Sequence, residues 1–586
     1  MNRECRSFMN PRKGRALVVW LVALACVAVF GLTGYAQNGV DPNDWPSYHR
    51  TLEGGRYSPL TQINKHNVSN LQVAWVHQPG AINHGLQATP IAIDGVVYYA
   101  GSFNRVFALD GASGRELWHY YPELDPIIEQ IATAPYTRGV AHGHGRVYIG
   151  TSDGRGIALD ARTGEELWQT TLVQTSKCGC LFTSPPLVVK DKLIYGSTAG
   201  GMPTRGGGIF GVDAATGEQL WHFEPVKEDT WGMTSFGESS AKYAGVGAWH
   251  VGSYDAETNT IIYGTSNPSP WFDWAPPNEG PNGYKRQDGE GSRPGDNLYS
   301  SSVVALDPDT GELKWYFQEL PHDDWDFDST LGEFVLMDDN GKKLVLHQAK
   351  SGFVYLYDRT NGAVENVWTI NDHVSFVQTV DPDTGELIGR NPPITAEGNM
   401  FCPSMNGGRS WNSGSYNQKN GLWYNGRQEI CQVAVPREEL PQLEPIPNWY
   451  SGADFHFVHP PGDVAHGALD AWEPLTGTKR WSVRYKYPSL AGVLSTGGSV
   501  VFNGDVEGTV YAYDADTGQE LWSFNTGSGI RGGIITYSVN GEQYVCWCPA
   551  ASARTSFTDW RSCFPKPRVS RAGPRCLPSN SAFNPR

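Results

Sequence analysis

One recurring phrase limits the fold of this 586-residue chain more than any other feature. The phrase is an aspartate, two variable residues, a Thr-Gly or Ser-Gly pair, and a short segment that ends in tryptophan, as in "ALDARTGEELW". Full copies end at Trp118, Trp168, Trp221, Trp315 and Trp522, and weaker copies end at Trp75, Trp368 and Trp481. So many copies predict a repeat architecture.

Each copy has a simple physical interpretation. An alternating strand enters a polar tight turn, in which Gly supplies a positive φ and Asp or Thr caps the turn, and a second strand leaves with the tryptophan. Most copies are spaced by roughly 40 to 53 residues, which is typical of one four-stranded propeller blade. Eight tryptophans therefore predict an all-β, eight-bladed β-propeller in which each tryptophan wedges between neighbouring sheets.

Composition agrees with this fold and narrows the possible partners. The chain has 68 Gly, 21 Trp and 27 Tyr, which suits many short strands joined by glycine turns. Its net charge of −16 argues against a nucleic-acid partner. Two long gaps in the repeat leave room for inserts at 267–297 and 399–431, which we expect to be loops over one end of the propeller.

Both ends of the chain depart from the repeat. Residues 1–36 read as a signal peptide, because a basic segment precedes the apolar run 16–32 and a small-residue cleavage site ends at Ala36. An uncleaved anchor is the alternative, but the apolar run is short for a span. We expect an exported, periplasmic protein with no membrane span after cleavage. Residues 37–548 form the predicted propeller domain. The basic, proline-rich tail 549–586 is predicted to be disordered and to leave ring closure imperfect.

The ten cysteines suggest one disulfide and argue against one type of cofactor. Cys402 and Cys431 are a plausible disulfide across a long loop, in an exported protein where disulfides persist. Cys178 and Cys180 are too close in sequence for an easy bridge, so two reduced thiols are at least as well expected. No C-x-x-C-H segment occurs, which argues against covalent c-type haem.

The segment "PHDDWDFDS", residues 321–329, is strongly acidic. In an extended chain Asp324, Asp326 and Asp328 would face one way and the intervening aromatic residues the other. Such a cluster needs water or a cation to offset its charge. Both a solvated acidic turn and a binding site fit the segment, and these residues alone favour the turn.

Together with the tryptophan repeats, the segments "YGTSNPSPW" and "HDDWDFD" resemble the pyrroloquinoline quinone (PQQ)-dependent alcohol dehydrogenases, which include methanol and ethanol dehydrogenases. The resemblance extends from about Asn43 to about Val545 and implies a role for each matching residue. Asp326 matches the catalytic base, Trp249 the floor beneath the quinone, and Lys350 a cation facing its reactive oxygens. The other implied cofactor-binding residues are Gln87, Arg138, Thr183 and Thr198. Cys402 and Cys431 match a disulfide of the family.

The resemblance also implies a metal ion held by Asn267, Asp326 and Asp328. Calcium-using members have a small or neutral residue where this chain has Asp328, whereas lanthanide-using members have this second aspartate. An added carboxylate favours a trivalent ion, so the resemblance favours a lanthanide, with calcium as the alternative. One departure weakens the site: Gly201 stands where the family has a glutamate ligand, and hard cations prefer six to eight oxygens.

Other departures lie around the expected quinone. Ala132 and Thr133 replace adjacent cysteines that form a disulfide lid in many members, and Ser410 stands where the family has an asparagine. The resemblance implies an enzyme that oxidises a primary alcohol or related hydroxyl substrate by hydride transfer to metal-bound PQQ, with a separate soluble cytochrome c as electron acceptor. The alternative is a degenerate, non-catalytic propeller that serves as a binding scaffold.

Overall fold

The computed structural model describes residues 39–549 and 575–578, apart from 81, 83, 84, 132–134, 203, 227–243, 270, 272–292, 294, 332, 392–398 and 437–452. The chain divides into two compact units, Met1–Pro42 and Asn43–Arg586, and every strand reported below lies in the second. The predicted signal peptide at 1–36 lies outside the described residues. No helix within the described part of the chain is long and apolar enough to cross a membrane.

Short strands account for nearly all of the regular structure. In chain order they are β1 Tyr57–Ser58, β2 Trp75–Val76, β3 Ile91–Ile93, β4 Val96–Ala100, β5 Val106–Asp110, β6 Glu116–Tyr120, β7 Ala141–Gly143, β8 Arg146–Gly150, β9 Arg155–Asp160, β10 Glu166–Thr171, β11 Leu187–Val189, β12 Lys192–Gly196, β13 Ile209–Asp213, β14 Gln219–Phe223, β15 Ser253–Asp255, β16 Thr260–Gly264, β17 Ser302–Leu306, β18 Leu313–Gln318 and β19 Phe334–Asp339. They continue with β20 Lys342–Gln348, β21 Phe353–Asp358, β22 Val364–Thr369, β23 Thr379–Val380, β24 Leu387–Ile388, β25 Asn399–Phe401, β26 Ser415–Asn417, β27 Leu422–Glu429, β28 Cys431–Pro436, β29 Ala453–Val458, β30 His466–Glu473, β31 Thr478–Tyr485, β32 Leu494–Thr496, β33 Val500–Gly504, β34 Thr509–Asp514, β35 Glu520–Asn525, β36 Ile530–Val539, β37 Glu542–Pro549 and β38 Arg575–Pro578. The helical segments are α1 Thr175–Cys178 and the 3-10 turns Val68–Asn70, Ser102–Asn104 and Pro126–Gln130.

Eight of the sheets are propeller blades, which confirms the predicted fold class. Blades 1 to 5 are β3–β6, β7–β10, β11–β14, β15–β18 and β19–β22. Blade 6 is β26-β27-β30-β31, and blade 7 is β32–β35 with β1 added in parallel at its edge. Blade 8 combines β36, β37, β38 and β2, so strands from both ends of the chain meet in one sheet.

Seven of the eight repeated tryptophans each dock one blade onto the next. Trp168 of blade 2 donates its indole N–H to Ala214 O of blade 3 at 3.3 Å, and its ring covers the turn glycine Gly217. A Cβ at Gly217, whose φ is +78°, would lie 2.6 Å from this ring. The same indole-to-carbonyl bond is made by Trp75, Trp118, Trp221, Trp315, Trp368 and Trp481. Glycine is therefore required at this turn for two reasons: the backbone has a positive φ, and the tryptophan ring leaves no space for a side chain.

The aspartate of each repeat caps its own turn, as the sequence predicts. Asp213 Oδ1 accepts bonds from the backbone N–H groups of Ala215 and Thr216, at 2.9 and 2.8 Å. Asp160 and Asp514 do the same in their turns. The hydrogen bonds that stabilise the turns receiving the tryptophans thus lie within one turn and do not depend on contacts between blades.

The C-terminal tail closes the ring. Strand β38, Arg575–Pro578, pairs with β37 on one side and with β2 on the other. Of the predicted tail 549–586, the structure describes Pro549, at the end of β37, and the four residues of β38 as strand. The rest of the tail lies outside the described residues, so its disorder stays a prediction. The tail forms a strand because β37 and β2 each present a backbone edge, and strand pairing uses backbone groups rather than side-chain patterning.

The inserts are only partly loops. Most of 267–297 lies outside the described residues, but 399–431 contains β25, β26 and β27. Strands β25, β28 and β29 form a separate three-stranded sheet. The disulfide Cys402–Cys431 fastens this sheet, as predicted. Cys178 and Cys180 also form a disulfide, so the expectation of reduced thiols is wrong there.

The two ends of the propeller have different roles. Because neighbouring strands in a blade are antiparallel, the first-to-second and third-to-fourth turns lie at one end. The second-to-third loops and the connections between blades lie at the other end, which we call the upper face. The tryptophan-docking turns are third-to-fourth turns. The upper face therefore does not carry the repeated turns. Its loops can differ from blade to blade and can form a functional site.

Candidate active site

All of the site residues that the sequence predicts lie on the upper face. Thr198, Asn267 and Lys350 are in second-to-third loops, and the others precede the first strand of a blade, namely Gln87, Arg138, Thr183, Trp249, Asp326 and Asp328. The blades bring these distant segments together at their inner ends. Backbone bonds between the blades hold them there, such as Arg138 N to Thr183 O at 2.8 Å.

A buried aspartate organises the acidic loop before blade 5. Asp323 is fully buried and accepts the backbone N–H groups of Trp325 and Phe327, both at 2.8 Å, and the hydroxyl of Ser301 at 2.7 Å. Burial raises the pKa of Asp323 to about 6, although the hydrogen bonds lower it. The segment alone does not indicate this role of Asp323, because its burial and its bond from Ser301 depend on groups outside the segment.

The same loop separates carboxylates from aromatic rings. Trp325 and Phe327 pack into an apolar cluster, where Phe327 lies 4.9 Å from Phe376 between ring centroids. The segment is not a strand, and Asp326 has a φ of +62°. The carboxylates of Asp326 and Asp328 meet at Lys350, whereas Asp324, which was expected to face the same way, pairs with Arg293. A fully solvated acidic turn is excluded, because Asp328 is 3% exposed.

Lys350 joins the two carboxylates. Its ammonium Nζ lies 3.1 Å from Asp326 Oδ2 and 2.9 Å from Asp328 Oδ2. Burial raises the pKa of Asp326 well above its usual value and Lys350 lowers it, whereas the neighbouring carboxylates raise it further. Burial lowers the pKa of Lys350, but the two carboxylates outweigh this effect and raise it overall. Two negative charges thus share one positive charge in a site that excludes most water.

Asp328 links this cluster to the other predicted residues. Its Oδ1 accepts the backbone N–H of Asn267 at 2.9 Å and lies 3.4 Å from the indole N–H of Trp249. The structure therefore brings together Asn267, Asp326, Asp328, Lys350 and Trp249 in one contiguous cluster.

Trp249 is half-buried, and its indole faces an arginine. The guanidinium carbon of Arg138 lies 4.8 Å from the Trp249 ring centroid and 5.1 Å from that of Trp411. Arg138 donates to the Thr183 hydroxyl at 2.7 Å, and that hydroxyl donates to Trp249 O at 3.1 Å. Burial lowers the pKa of Arg138, although Tyr136 and Tyr48 raise it. The result is a cationic pocket between two indoles.

Gln87 and Thr198 lie on the upper face, before the first strand of blade 1 and in the second-to-third loop of blade 3. The Thr198 hydroxyl accepts the backbone N–H of Leu181 at 3.0 Å. Gln87 is 5% exposed, and its Oε1 has no hydrogen-bond partner within the described residues. Ala132 and Thr133, which replace the family's lid cysteines, lie outside the described residues.

These residues fit a flat, polyanionic quinone. The pocket offers a half-exposed indole face and a buried guanidinium whose Nε has no hydrogen-bond partner within the described part of the chain. An aromatic acid would stack on the indole and satisfy the guanidinium. The residues that would hold PQQ are therefore Trp249, Arg138, Thr183 and Lys350.

The three predicted metal ligands are of the kind that an oxygen-preferring cation binds, but three ligands are few for such an ion. Asn267, Asp326 and Asp328 supply an amide oxygen and two carboxylates, which are hard donors. A Cβ at Gly200 would collide with Asn267 Oδ1, so the Gly200-Gly201 segment passes directly beside this donor. That segment carries no side-chain oxygen, in agreement with the missing glutamate. The remaining ligands of a cation would have to come from the backbone, water or the cofactor.

Two further residues of the pocket were not predicted. Trp411, which precedes blade 6, forms the second indole wall, and Arg531, in the first strand of blade 8, lies 5.9 Å from the Trp411 ring centroid. Neither belongs to a repeat or to a motif used above. A charged residue within the otherwise uncharged strand β36 was the one signal that could have identified Arg531.

Comparisons with known proteins agree with this geometry. The chain matches the family described as glucose/ethanol/alcohol dehydrogenase, beta-propeller domain, over residues 45–384 and 463–545. It is 35% identical over 558 residues to quinoprotein alcohol dehydrogenase PedE of Pseudomonas putida, covering 87% of this chain and 85% of that protein. It is 33% identical to quinoprotein ethanol dehydrogenase of Pseudomonas aeruginosa, covering 84% and 83%. Among solved structures, a europium-containing methanol dehydrogenase is 26% identical with a TM-score of 0.82, covering 92% of this chain and 98% of that one.

Proposed function

This chain belongs to the PQQ-dependent alcohol dehydrogenases, and from that premise we propose that it oxidises a primary alcohol, or a related hydroxyl substrate, to an aldehyde. The observation that carries the proposal is the buried cluster in which Lys350 contacts both Asp326 and Asp328. A scaffold has no need of two carboxylates and an ammonium held away from water, because burying them costs free energy. The non-catalytic alternative therefore has no support from this cluster.

The chemistry that PQQ and a cation supply when bound is acceptance of hydride at a polarised carbonyl. We assign the proton step to Asp326, which takes the hydroxyl proton of the alcohol at a carboxylate oxygen. Burial raises the pKa of this carboxylate and so makes it a stronger base, whereas Lys350 lowers that pKa and favours the ionised form that can accept a proton. Trp249 orients the quinone by stacking, and Arg138 and Thr183 bind its carboxylates. We assign Gln87 and Thr198 to contacts with the edge of the quinone.

For the metal we propose a lanthanide held by Asn267, Asp326 and Asp328, with calcium as the alternative. The support is chemical: a second carboxylate 2.9 Å from the same ammonium adds charge that favours a trivalent ion. The europium-containing methanol dehydrogenase among the similar structures is consistent with this choice. The absence of a carboxylate at Gly201 removes one ligand from any cation site here.

We further propose a periplasmic location and a separate soluble cytochrome c as electron acceptor. The location rests on the basic, apolar and small-residue pattern of residues 1–36, and the acceptor on the lack of a C-x-x-C-H segment anywhere in the sequence. Fractionation of expressing cells and N-terminal sequencing of the exported protein test the first. Reduction of an added cytochrome c during alcohol oxidation tests the second.

The central experiment is reconstitution. The mature chain is mixed with PQQ and either calcium or a light lanthanide, and alcohol oxidation is followed with an artificial electron acceptor. We expect activity that depends on both PQQ and an ion. Asp326→Asn should bind PQQ but lose turnover, whereas Asp383→Asn, at an exposed turn, should not change it. No bound quinone and no activity with either ion would refute the proposed function.

A further inference from the structure

A short disulfide lies close in the chain to a cofactor-binding residue of blade 3. Cys178 and Cys180 are joined with only Gly179 between them, and their Cα atoms are 5.1 Å apart. The turn begins at the end of helix α1, where Gly179 has a φ of +67°. Both cysteines are buried, and three residues further on the chain reaches Thr183. The bond therefore fixes the backbone just before a residue that is assigned to the quinone.

The residue after this turn holds Thr198 in place. Leu181 donates its backbone N–H to the Thr198 hydroxyl at 3.0 Å, and Leu181 O accepts the Thr198 N–H at 2.8 Å. A hydroxyl that accepts one hydrogen bond still has a hydrogen to donate. Leu181 thus fixes the position from which Thr198 can donate to a ligand. Leu181 also packs on Ile131, in the connection between blades 1 and 2.

The turn also holds the other end of the same loop. Thr204, which is 4% exposed, donates its hydroxyl to Cys178 O at 2.6 Å. Loop 198–204 is therefore tied to the turn at both of its ends. The same loop passes Asn267, because a Cβ at Gly200 would collide with Asn267 Oδ1. One covalent bond thus supports the backbone that runs from a quinone-binding residue to a predicted metal ligand.

A purely structural role is the competing explanation, since both sulfurs belong to an apolar cluster with Phe182 and Ala199. A disulfide stabilises a fold mainly by restricting the unfolded chain, and this effect grows with the length of the loop that it closes. The Cys178–Cys180 bond has a sequence separation of 2, whereas that of Cys402–Cys431 is 29. The shorter bond should therefore contribute less to global stability. A local role in the site would not follow this order.

We propose that the Cys178–Cys180 disulfide is a positioning element of the cofactor site, which holds Thr183 and loop 198–204 in the arrangement that binds PQQ. This inference rests on the proposed function, because it requires that the site take PQQ. Without the bond the turn has other backbone conformations open to it, and only a fraction of the molecules presents the Thr198 hydroxyl in its binding position. The apparent affinity falls by that fraction. The two cysteines act through the backbone rather than by contact with the substrate.

The test measures PQQ binding by the wild-type chain and by the double variant Cys178→Ala/Cys180→Ala, followed by quenching of tryptophan fluorescence with calcium or a light lanthanide held constant. We expect the dissociation constant for PQQ to rise about tenfold, which corresponds to a binding-competent fraction of about one tenth. The KM for the alcohol should stay unchanged at saturating PQQ. Cys402→Ala/Cys431→Ala, in the separate three-stranded sheet, is the matched control. It should lower the thermal midpoint more and leave PQQ affinity unaltered.

Thr204→Val is an independent variant that keeps the disulfide. It removes the hydroxyl that donates to Cys178 O, so PQQ affinity should fall about three- to tenfold. Added to the loss of the disulfide, it should have little further effect, because both changes release the same loop. Thr163→Val, which removes a hydroxyl bond within an exposed blade turn, is its control and should leave PQQ affinity unaltered.

The possible outcomes are distinct. A lower thermal midpoint with unchanged PQQ affinity in Cys178→Ala/Cys180→Ala would assign the bond a structural role and overturn the inference. Fully additive effects of Thr204→Val and the disulfide variant would overturn it too, because the two changes would not act through one loop. If the double variant does not fold, Thr204→Val decides alone, and unaltered affinity in that variant overturns the inference. If the wild type binds no PQQ, the proposed function fails as well; if only the variants' affinity is unaltered, the inference alone fails.

Discussion

Lys350 forms a buried ion pair with Asp326, with Nζ 3.1 Å from Oδ2. The same ammonium contacts Asp328, so the loop before blade 5 and the second-to-third loop of blade 5 are joined by charge. In the absence of a metal ion this lysine is the counter-charge of both carboxylates. Any cation that binds there must compete with it electrostatically, and this gives Lys350 two separable effects.

Lys350→Met should separate ion binding from turnover. Removing the competing ammonium should leave the affinity of the site for a lanthanide unchanged or higher, because both carboxylates become available. Turnover of the reconstituted enzyme should fall about a hundredfold, because a positioned positive charge beside the reacting group is lost. Ion affinity is measured by calorimetry and turnover with an artificial acceptor. Lys342→Met, at an exposed ion pair with Glu365, is the control, and parallel loss of ion binding and turnover would contradict the prediction.

Asp328→Ala should change the ion preference. It removes one of the two carboxylates that contact Lys350 and also the acceptor of the Asn267 backbone N–H. With less negative charge and one fewer ligand, the site should lose lanthanide-supported activity by at least about tenfold while calcium-supported activity falls less. Steady-state rates with each ion, at saturating PQQ, decide the matter. Equal activity of this variant with both ions would refute the metal assignment.

Gly201→Glu should strengthen cation binding. The backbone at Gly201 has a φ of +70°, so any side chain there is strained by about 1 kcal/mol. Its neighbour Gly200 lies against Asn267 Oδ1, so a glutamate at 201 would add a carboxylate beside an existing donor. We expect at least about tenfold tighter ion binding, measured by calorimetry. Gly201→Ala carries the strain without the carboxylate, and an equal gain in that variant would contradict the prediction.

The parts of the fold that the sequence predicted correctly are those that depend on short segments. The Asp-x-x-Thr-Gly turns and their tryptophans form a pattern within each blade, and the blades then bring Lys350 to the acidic loop. Asp323 and Arg531 could not be predicted in this way, because their burial depends on groups from several blades. The strand Arg575–Pro578 was missed for a related reason: it has little side-chain patterning and is held by the edges of β2 and β37.

Asp323→Asn should remove part of the pH dependence of stability. The folded-state pKa of Asp323 is about 6, above its ordinary 3.8, so the folded chain binds this proton more tightly than the unfolded chain. Stability from this group is therefore present below pH 3.8 and lost as pH rises to 6, by up to ~3 kcal/mol. The thermal midpoint measured from pH 4 to 7 should fall less steeply in Asp323→Asn than in the wild type. Asp383→Asn is the exposed control, and parallel pH profiles for wild type and Asp323→Asn would disprove the assignment.

Gly217→Ala should destabilise the propeller more than Gly145→Ala. Both glycines have a similar positive φ, +78° and +69°, so both substitutions carry the same backbone strain. A Cβ at Gly217 would lie 2.6 Å from the Trp168 ring, whereas one at Gly145 would have no atom within 4 Å. The difference in free energy of unfolding, about 1 to 3 kcal/mol, therefore isolates the tryptophan contact between blades 2 and 3. It is measured by denaturant unfolding of both variants. Trp168→Phe in the Gly217→Ala background should recover part of the loss, because a smaller ring relieves the overlap, and equal destabilisation by the two glycine substitutions would show that the docked ring moves aside at little cost.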